Sequence, residues 1–247
     1  SEGLHSEKHH KGGHSRGLLI MRPGGHNVAV VGNLFAHNMA RNPTVSAGEA
    51  IVANNFIDHV NVAIKTNCVA RPGEGPVLIN ATHNAIKRAN HPFVARAKHP
   101  DSCFYFAPDN IFNGKPFDSV AAIWEKHVSM PFEPGVAEAC RAIEPPITMP
   151  DLKIKPAAEV EAWVLANAGA RPADRGPVDA RVINEVKNGT GAILASQEDV
   201  GGWPALAENR RELTIPDNPS GDDDSDGYTN LEEWLHGFAA DVEGRND

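Results

Sequence analysis

Between residues 17 and about 92, short apolar runs alternate with Asn, Gly and His: GLLI, HNVAVVGNLFAHN, EAIVANNFIDHVNVAIKTN and PVLINATHNAIKRANHP. Several runs are near-alternating and β-branched, the pattern of short strands. VAVVGNLFAHN and AIVANNFIDHV superpose with Asn33 falling on Asn55, 22 residues further on, and a repeat of that period predicts the coils of a solenoid. In a parallel β-helix each coil supplies two or three short strands, and an asparagine recurring at one turn stacks on its counterpart in the next coil. Asn33 and Asn55 are therefore assigned to a turn ladder rather than to a ligand.

Residues 93–150 are less periodic and carry FAPDN, MPFEPG and IEPPITMP, which predicts long loops packed along the scaffold. PAAEVEAWVLANAG puts Val160, Trp163, Val164 and Ala168 on one helical face and stops at Gly169, while GPVDARVINEVKNG starts near Pro177 and stops at Gly189. Two short amphipathic helices follow from this, with SQEDVGGWP and TIPDNPSG as turn-rich linkers. The chain divides into β-helix coils and packed loops over 1–130, a helical extension over 131–215, and a calcium-binding, half-EF-hand-like tail over 216–247.

Composition agrees with a mainly β fold. Apolar residues at 41% supply a core, and 22 Gly and 19 Pro against 6% aromatics suit many short strands and turns. A net charge of -9 without a Lys/Arg cluster argues against a nucleic-acid partner. No apolar run approaches the roughly 18 residues of a membrane span. Cys68, Cys103 and Cys140 form no metal-type pair; one internal disulfide is available, with Cys103–Cys140 as its candidate. The chain opens at Ser1 on a polar stretch with no basic-then-apolar leader.

Asp222 to Glu233, DDDSDGYTNLEE, matches a calcium loop. Asp222, Asp224 and Asp226 take positions 1, 3 and 5, Gly227 takes 6, Tyr228 offers its carbonyl at 7, Asn230 is at 9, and Glu233 at 12 supplies a bidentate carboxylate. Pro216 and Pro219 preclude a normal entering helix, so the site is a structural half-hand for Ca2+; the bland alternative is a solvated acidic tail. The start of the chain carries His5, His9, His10 and His14. His10 and His14 would share a helical face fit for zinc, but Gly12 and Gly13 disfavour that helix. A polar turn is one alternative, and an anion contact by Lys11 and Arg16 another.

SEGLHSEKHHKGGHSRGLLI followed by HNVAVVGNLFAHNMARNPTVSAGEAIVANNF resembles the pectate lyase superfamily, polysaccharide lyases of the family 1 type, over roughly residues 1–60. VLANAGARPADRGPVDARVINEV, GGWP and the acidic loop look like the C-terminal extension of some bacterial pectate-lyase-like proteins. The resemblance implies a right-handed parallel β-helix (single-stranded solenoid), secretion, and calcium-assisted β-elimination of α-1,4-linked polygalacturonate or pectin. The arginine that begins the family's R-x-P motif acts there as the base, and it falls on Arg41. The family's lysine before the L-I strand falls on Arg16, or on Lys11 if the alignment slips; either would bind substrate. Two further basic positions of the family read Thr44 and Ser46 here. The family's calcium ligands lie on coils that precede SEGLH, and Glu2 and Glu7 are the only acids in the first twenty residues. On this reading the chain corresponds to the C-terminal part of such an enzyme, and an uncapped solenoid end predicts either a homo-oligomer through it or marginal stability.

Arginine is ordinarily never deprotonated, so Arg41 is a base only where neighbouring cations disfavour its charged form; otherwise it is a carboxylate clamp. The alternative function is a non-catalytic β-helix module that binds acidic polysaccharide and calcium. A hydrolase would need a carboxylate pair, for which Asp58 and Glu49 are the candidates. Asp58 and His59 otherwise read as a structural turn, while His37 and Asn38 either orient Arg41 or form a solvated turn.

Overall fold

A computed structural model describes residues 14–21, 25–46, 48–66, 75–96, 99, 101–130, 138–170, 172–205 and 212–243. Lys11, His5, His9, His10, Glu2, Glu7 and Cys68 lie outside the described residues. The chain forms two compact units, one of residues 1–168 with 182–202 and one of 169–181 with 203–247.

The first unit is a mainly β, parallel solenoid of about three turns. One sheet stacks β2 (Val28–Val31), β5 (Gly48–Ala53), β7 (Val77–Thr82) and β9 (Cys103–Phe106) in that order. The other contains β1 (Leu19–Ile20), β3 (Leu34–Ala36), β4 (Thr44–Val45), β6 (Phe56–Thr66), β8 (Ala85–Val94), β10 (Ile111–Phe112), β11 (Lys115–Pro116) and β12 (Val128–Ser129). Every pairing is parallel except β10 with β11.

In-register stacking puts like residues in columns. Val28, Ala50, Ile79 and Phe104 form one, Val30, Val52, Ala81 and Phe106 a second, and Phe35, Ile57, Ile86 and Phe112 a third. Alternate residues of a strand face opposite sides, so each column is an inward position repeated coil after coil. The aromatic end is sealed by Phe93 stacked on Phe106, with centroids 4.6 Å apart, and by Trp124 at 5.7 Å from Phe106. Trp124 comes from α1 (Val120–Lys126), capped at its N-terminus by the Ser119 hydroxyl.

The asparagine ladder has four rungs. Asn33 donates from its backbone and side chain to Asn55 Oδ1, Asn55 does the same to Asn84, and Asn84 to Asn110, all at 2.9–3.1 Å. Asn55, Asn84 and Asn110 have no solvent exposure, and their remaining amide hydrogens go to strand carbonyls such as Val30, Val52 and Ala81. Left-handed residues make the corners on either side. Gly32, Asn54 and His83 precede the ladder asparagines, and His37, His59, Arg88 and Asn113 follow them, all with φ between 48° and 72°. Asn and His tolerate this region better than branched residues do, which accounts for their abundance between the apolar runs.

Within residues 93–150, expected to be loops, the stretch up to Ser129 instead supplies β9 to β12 and α1, while the described residues 140–150 are irregular as expected: the apolar columns continue through Phe104, Phe106 and Phe112, and the shortness of these strands hid them from a periodicity argument. The helices over α2 (Ala157–Asn167) and α3 (Pro177–Asn188) form where the spacing predicts. Val160, Val164, Val182, Ile183 and Val186 cover Leu34, Phe56 and Ala85 on the outside of the solenoid. Asn54 pins the approach to α2 by accepting from Lys155 N at 2.7 Å and donating to Lys155 O at 2.8 Å. Gly32 is needed here, because a Cβ on it would lie 2.8 Å from the Trp163 ring. Cys103 and Cys140 are not joined to each other in a disulfide; their segments are joined by a Phe104 N–H bond to the Cys140 carbonyl, and burial pushes the Cys103 thiol up.

Replacing Asn84 by Ala strips partners from Asn55 and Asn110 and from the Val52 and Thr82 carbonyls. At about 1–3 kcal/mol for each buried group left unpaired, Asn84→Ala is expected to cost at least about 3 kcal/mol in denaturant melts. Asn33→Ala, at the exposed end of the ladder, should cost under about 1 kcal/mol.

Candidate functional site

Arg41 closes the turn before β4. Its φ is 65°, and the Asn42–Pro43 peptide that follows is cis. The Arg41 carbonyl accepts from Leu18 N at 2.7 Å, the Ala40 carbonyl accepts from Gly17 N at 3.1 Å, and Arg16 bridges Ala40 in parallel. Gly17 makes this approach possible: a Cβ there would meet the Arg41 carbonyl oxygen at 2.5 Å. Arg16 and Arg41 thus sit on adjoining coils. Arg16 also donates to His14 Nδ1 at 3.1 Å and to the Ser15 carbonyl.

Lys65 joins them from the next coil. It is the register partner of Thr44, and its N–H donates to the Pro43 carbonyl at 3.0 Å. Arg96 follows β8, which pairs Lys65 through Val94. Burial, followed by the charge of Arg41, lowers the pKa of Arg16; burial, followed by the charges of Arg96, Arg16 and Arg41, lowers that of Lys65. Among the described residues no carboxylate lies within ion-pair distance of Arg16, Arg41 or Lys65. A partly desolvated group of like charges is a functional arrangement far more readily than a stabilising one.

Lys65 and Arg96 were not singled out in the sequence. The signal is there once the ladder is known, since Arg41, Lys65 and Arg96 follow Asn33, Asn55 and Asn84 by 8, 10 and 12 residues. The growing interval defeats a fixed-period search. Thr44 and Ser46, which replace basic residues in the resemblance, are buried at 3% and 5% exposure.

The other acids and imidazoles do structural work. Asp58, 2% exposed, is held by the Arg88 guanidinium, which raises the arginine's pKa; Arg88 also donates to the Gly189 carbonyl just beyond α3 at 2.6 Å. Glu49 instead faces His26 at 3.4 Å, so Asp58 and Glu49 are committed to different partners and form no hydrolytic pair. His37 and Asn38 are fully buried, not a solvated turn. His37 Nδ1 lies 2.9 Å from His59 Nδ1, one ring donating to the other, and its Nε2 lies 3.6 Å from Glu185.

In the second unit the carboxylates of Asp222, Asp224 and Asp226 come within 4.8 Å of one another. Gly227, at φ 99°, donates to Asp222, and Tyr228 N–H donates to Asp226. Thr229 and Glu232 form a reciprocal cap at the start of α4 (Asn230–Glu243). The charge of Asp224, then burial, then the charges of Asp226, Asp222 and Asp223, raise the Glu233 pKa. A divalent cation would relieve this repulsion, and Asp222, Asp224, Asp226, Glu233 and the Tyr228 carbonyl suit it. The Asn230 side chain is used otherwise, accepting from Asp223 N and donating to the Asn218 carbonyl.

A scan of family models finds none that matches the chain, and a search of curated proteins finds no match either.

The Lys65 proton is held less tightly in the folded chain than at its ordinary value of 10.5. Between the lowered value and 10.5 the unfolded chain binds more protons, so stability rises with pH over that interval. Thermal melts across pH should show the wild type gaining on Lys65→Gln as the pH approaches 10.5. Below the interval, Lys65→Gln should melt at the higher temperature, because it lacks the repulsion.

Proposed function

We propose that the protein is a polysaccharide lyase acting on uronate-rich chains of the polygalacturonate or pectin type, by β-elimination at the Arg16–Arg41–Lys65 cluster. The observation that carries this is three partly buried cations on adjoining coils with no carboxylate partner among the described residues. An anionic ligand supplies the missing charge. The resemblance of the segment around Arg16 and Arg41 to pectate lyases selects uronate among anions, and secretion follows from such a substrate.

Elimination begins with loss of the C5 proton, which is α to the uronate carboxylate. The C4–O4 bond then breaks and leaves a C4=C5 double bond. Guanidinium groups beside the carboxylate favour this by stabilising the charge that moves onto its oxygens. Arg41 is the residue we assign to that contact at the reacting sugar, with Arg16 beside it. The described residues supply no carboxylate set beside this cluster, so a divalent ion is not held there by them, and no step is routed through one. Calcium belongs in this proposal to the C-terminal loop, held by Asp222, Asp224, Asp226, the Tyr228 carbonyl and Glu233, with Asn230 clasping the loop. Its role there is to neutralise and order the acidic turn.

Incubation with polygalacturonate and calcium should yield ultraviolet-absorbing unsaturated ends, and Arg41→Ala should slow their formation by about 10²–10³-fold. Retained polygalacturonate binding without any such product would leave a binding module instead of an enzyme. Calcium should raise the melting temperature of the full chain, and Glu233→Ala should remove that rise.

A further inference from the structure

Two asparagine–glycine steps occur in the chain, Asn113–Gly114 and Asn188–Gly189, and the acidic loop adds one aspartate–glycine step, Asp226–Gly227. Such steps share a chemistry: the glycine amide nitrogen attacks the preceding side-chain carbonyl carbon, and the missing glycine Cβ leaves that approach open. All six residues are exposed, so access does not distinguish the steps. Their glycine N–H groups do. Gly189 N–H donates to the Val186 carbonyl at 3.2 Å, and Gly227 N–H donates to Asp222 Oδ2 at 3.1 Å. Among the described residues Gly114 N–H has no acceptor. We propose that Asn113 is a site of spontaneous covalent modification, converted through a succinimide to aspartate and isoaspartate, and that the isoaspartate form loosens the β10–β11 hairpin.

Asn113 and Gly114, at φ 48° and 81°, form the two-residue turn between β10 and β11, and this residue pair is the one such a turn prefers. Asn113 ends the series of left-handed corners His37, His59 and Arg88. Its N–H donates to the Ile86 carbonyl at 2.9 Å, and its Oδ1 accepts from Arg88 N at 3.1 Å. The hairpin pairs Ile111 with Pro116 and Phe112 with Lys115 and no further. Few bonds therefore resist the local opening that lets the side chain turn from Arg88 to Gly114. In the reaction Gly114 N gives its proton to water, and its lone pair closes on Asn113 Cγ. The Cγ–Nδ2 bond breaks, and the amide nitrogen leaves as ammonia with a proton from water. Water then opens the five-membered ring. Attack at Cγ gives aspartate; attack at the main-chain carbonyl gives isoaspartate, whose backbone is longer by one methylene. Water is consumed and ammonia released, with no oxidant or reductant. Aspartate keeps an acceptor for Arg88 N–H. Isoaspartate shifts Phe112 against Lys115, and with it the stacking of Phe112 on Phe117, whose centroids lie 6.2 Å apart.

The test needs no substrate. The full chain is incubated at mildly alkaline pH, and peptide mass spectrometry reads the acid formed at each asparagine. In the folded chain, acid should accumulate at residue 113 several-fold faster than at residue 188. In concentrated urea, where neither glycine N–H is held, the two sites should react at similar rates. Asn113→Gln, whose longer side chain closes a six-membered ring far less readily, should remove the fast acidic species and leave the slow one. Isoaspartate-enriched fractions from ion exchange should melt below the Asn113→Asp protein, which carries the charge without the added methylene. A folded chain in which residue 188 reacts as fast as residue 113 overturns the proposal. So does one in which residue 113 stays an amide while the urea-treated chain reacts, or a fast species that persists in Asn113→Gln. An isoaspartate fraction that melts with Asn113→Asp overturns the assigned effect on the hairpin.

Discussion

The buried asparagine ladder is the interaction on which the rest of the first unit depends. A solenoid must turn its backbone sharply at the same place in every coil, and each turn leaves amide groups that no strand partner satisfies. Asn55 and Asn84 each receive two hydrogen bonds from the preceding coil and give two to the next. The coils are thereby held in one register at every turn. That register aligns Val28, Ala50, Ile79 and Phe104 into a column, and a slip by one residue would turn these side chains outward.

The same register brings cations together that are far apart in the sequence. Arg16, Arg41, Lys65 and Arg96 belong to successive coils, and strands in a sheet lie about 4.7–4.9 Å apart. Mutual repulsion at such spacing works against folding, and the solenoid bears it because the backbone carries the structure. Asn42 donates to the Val62 carbonyl, Leu18 to the Arg41 carbonyl, and Lys65 to the Pro43 carbonyl. None of these bonds involves a charged side chain. The contrast is the opposite corner, where Arg88 spends its guanidinium on Asp58 and the Gly189 carbonyl and fastens α3 to the coils.

How much of this was legible in the sequence follows from how local each signal is. The Asn33–Asn55 repeat, the two helices ending near Gly169 and Gly189, and the acidic loop all rest on residues close in the chain, and each was readable. The later coils were not, because their strands shrink to a few residues and the coil lengthens: Asn33 to Asn55 spans 22 residues, Asn55 to Asn84 29, and Asn84 to Asn110 26. Lys65 was missed for a related reason. It closes an apolar strand and looks like an ordinary solvated end, and its neighbours are set by stacking across coils. Asp58 was readable as structural, but its partner Arg88, 30 residues away, was not.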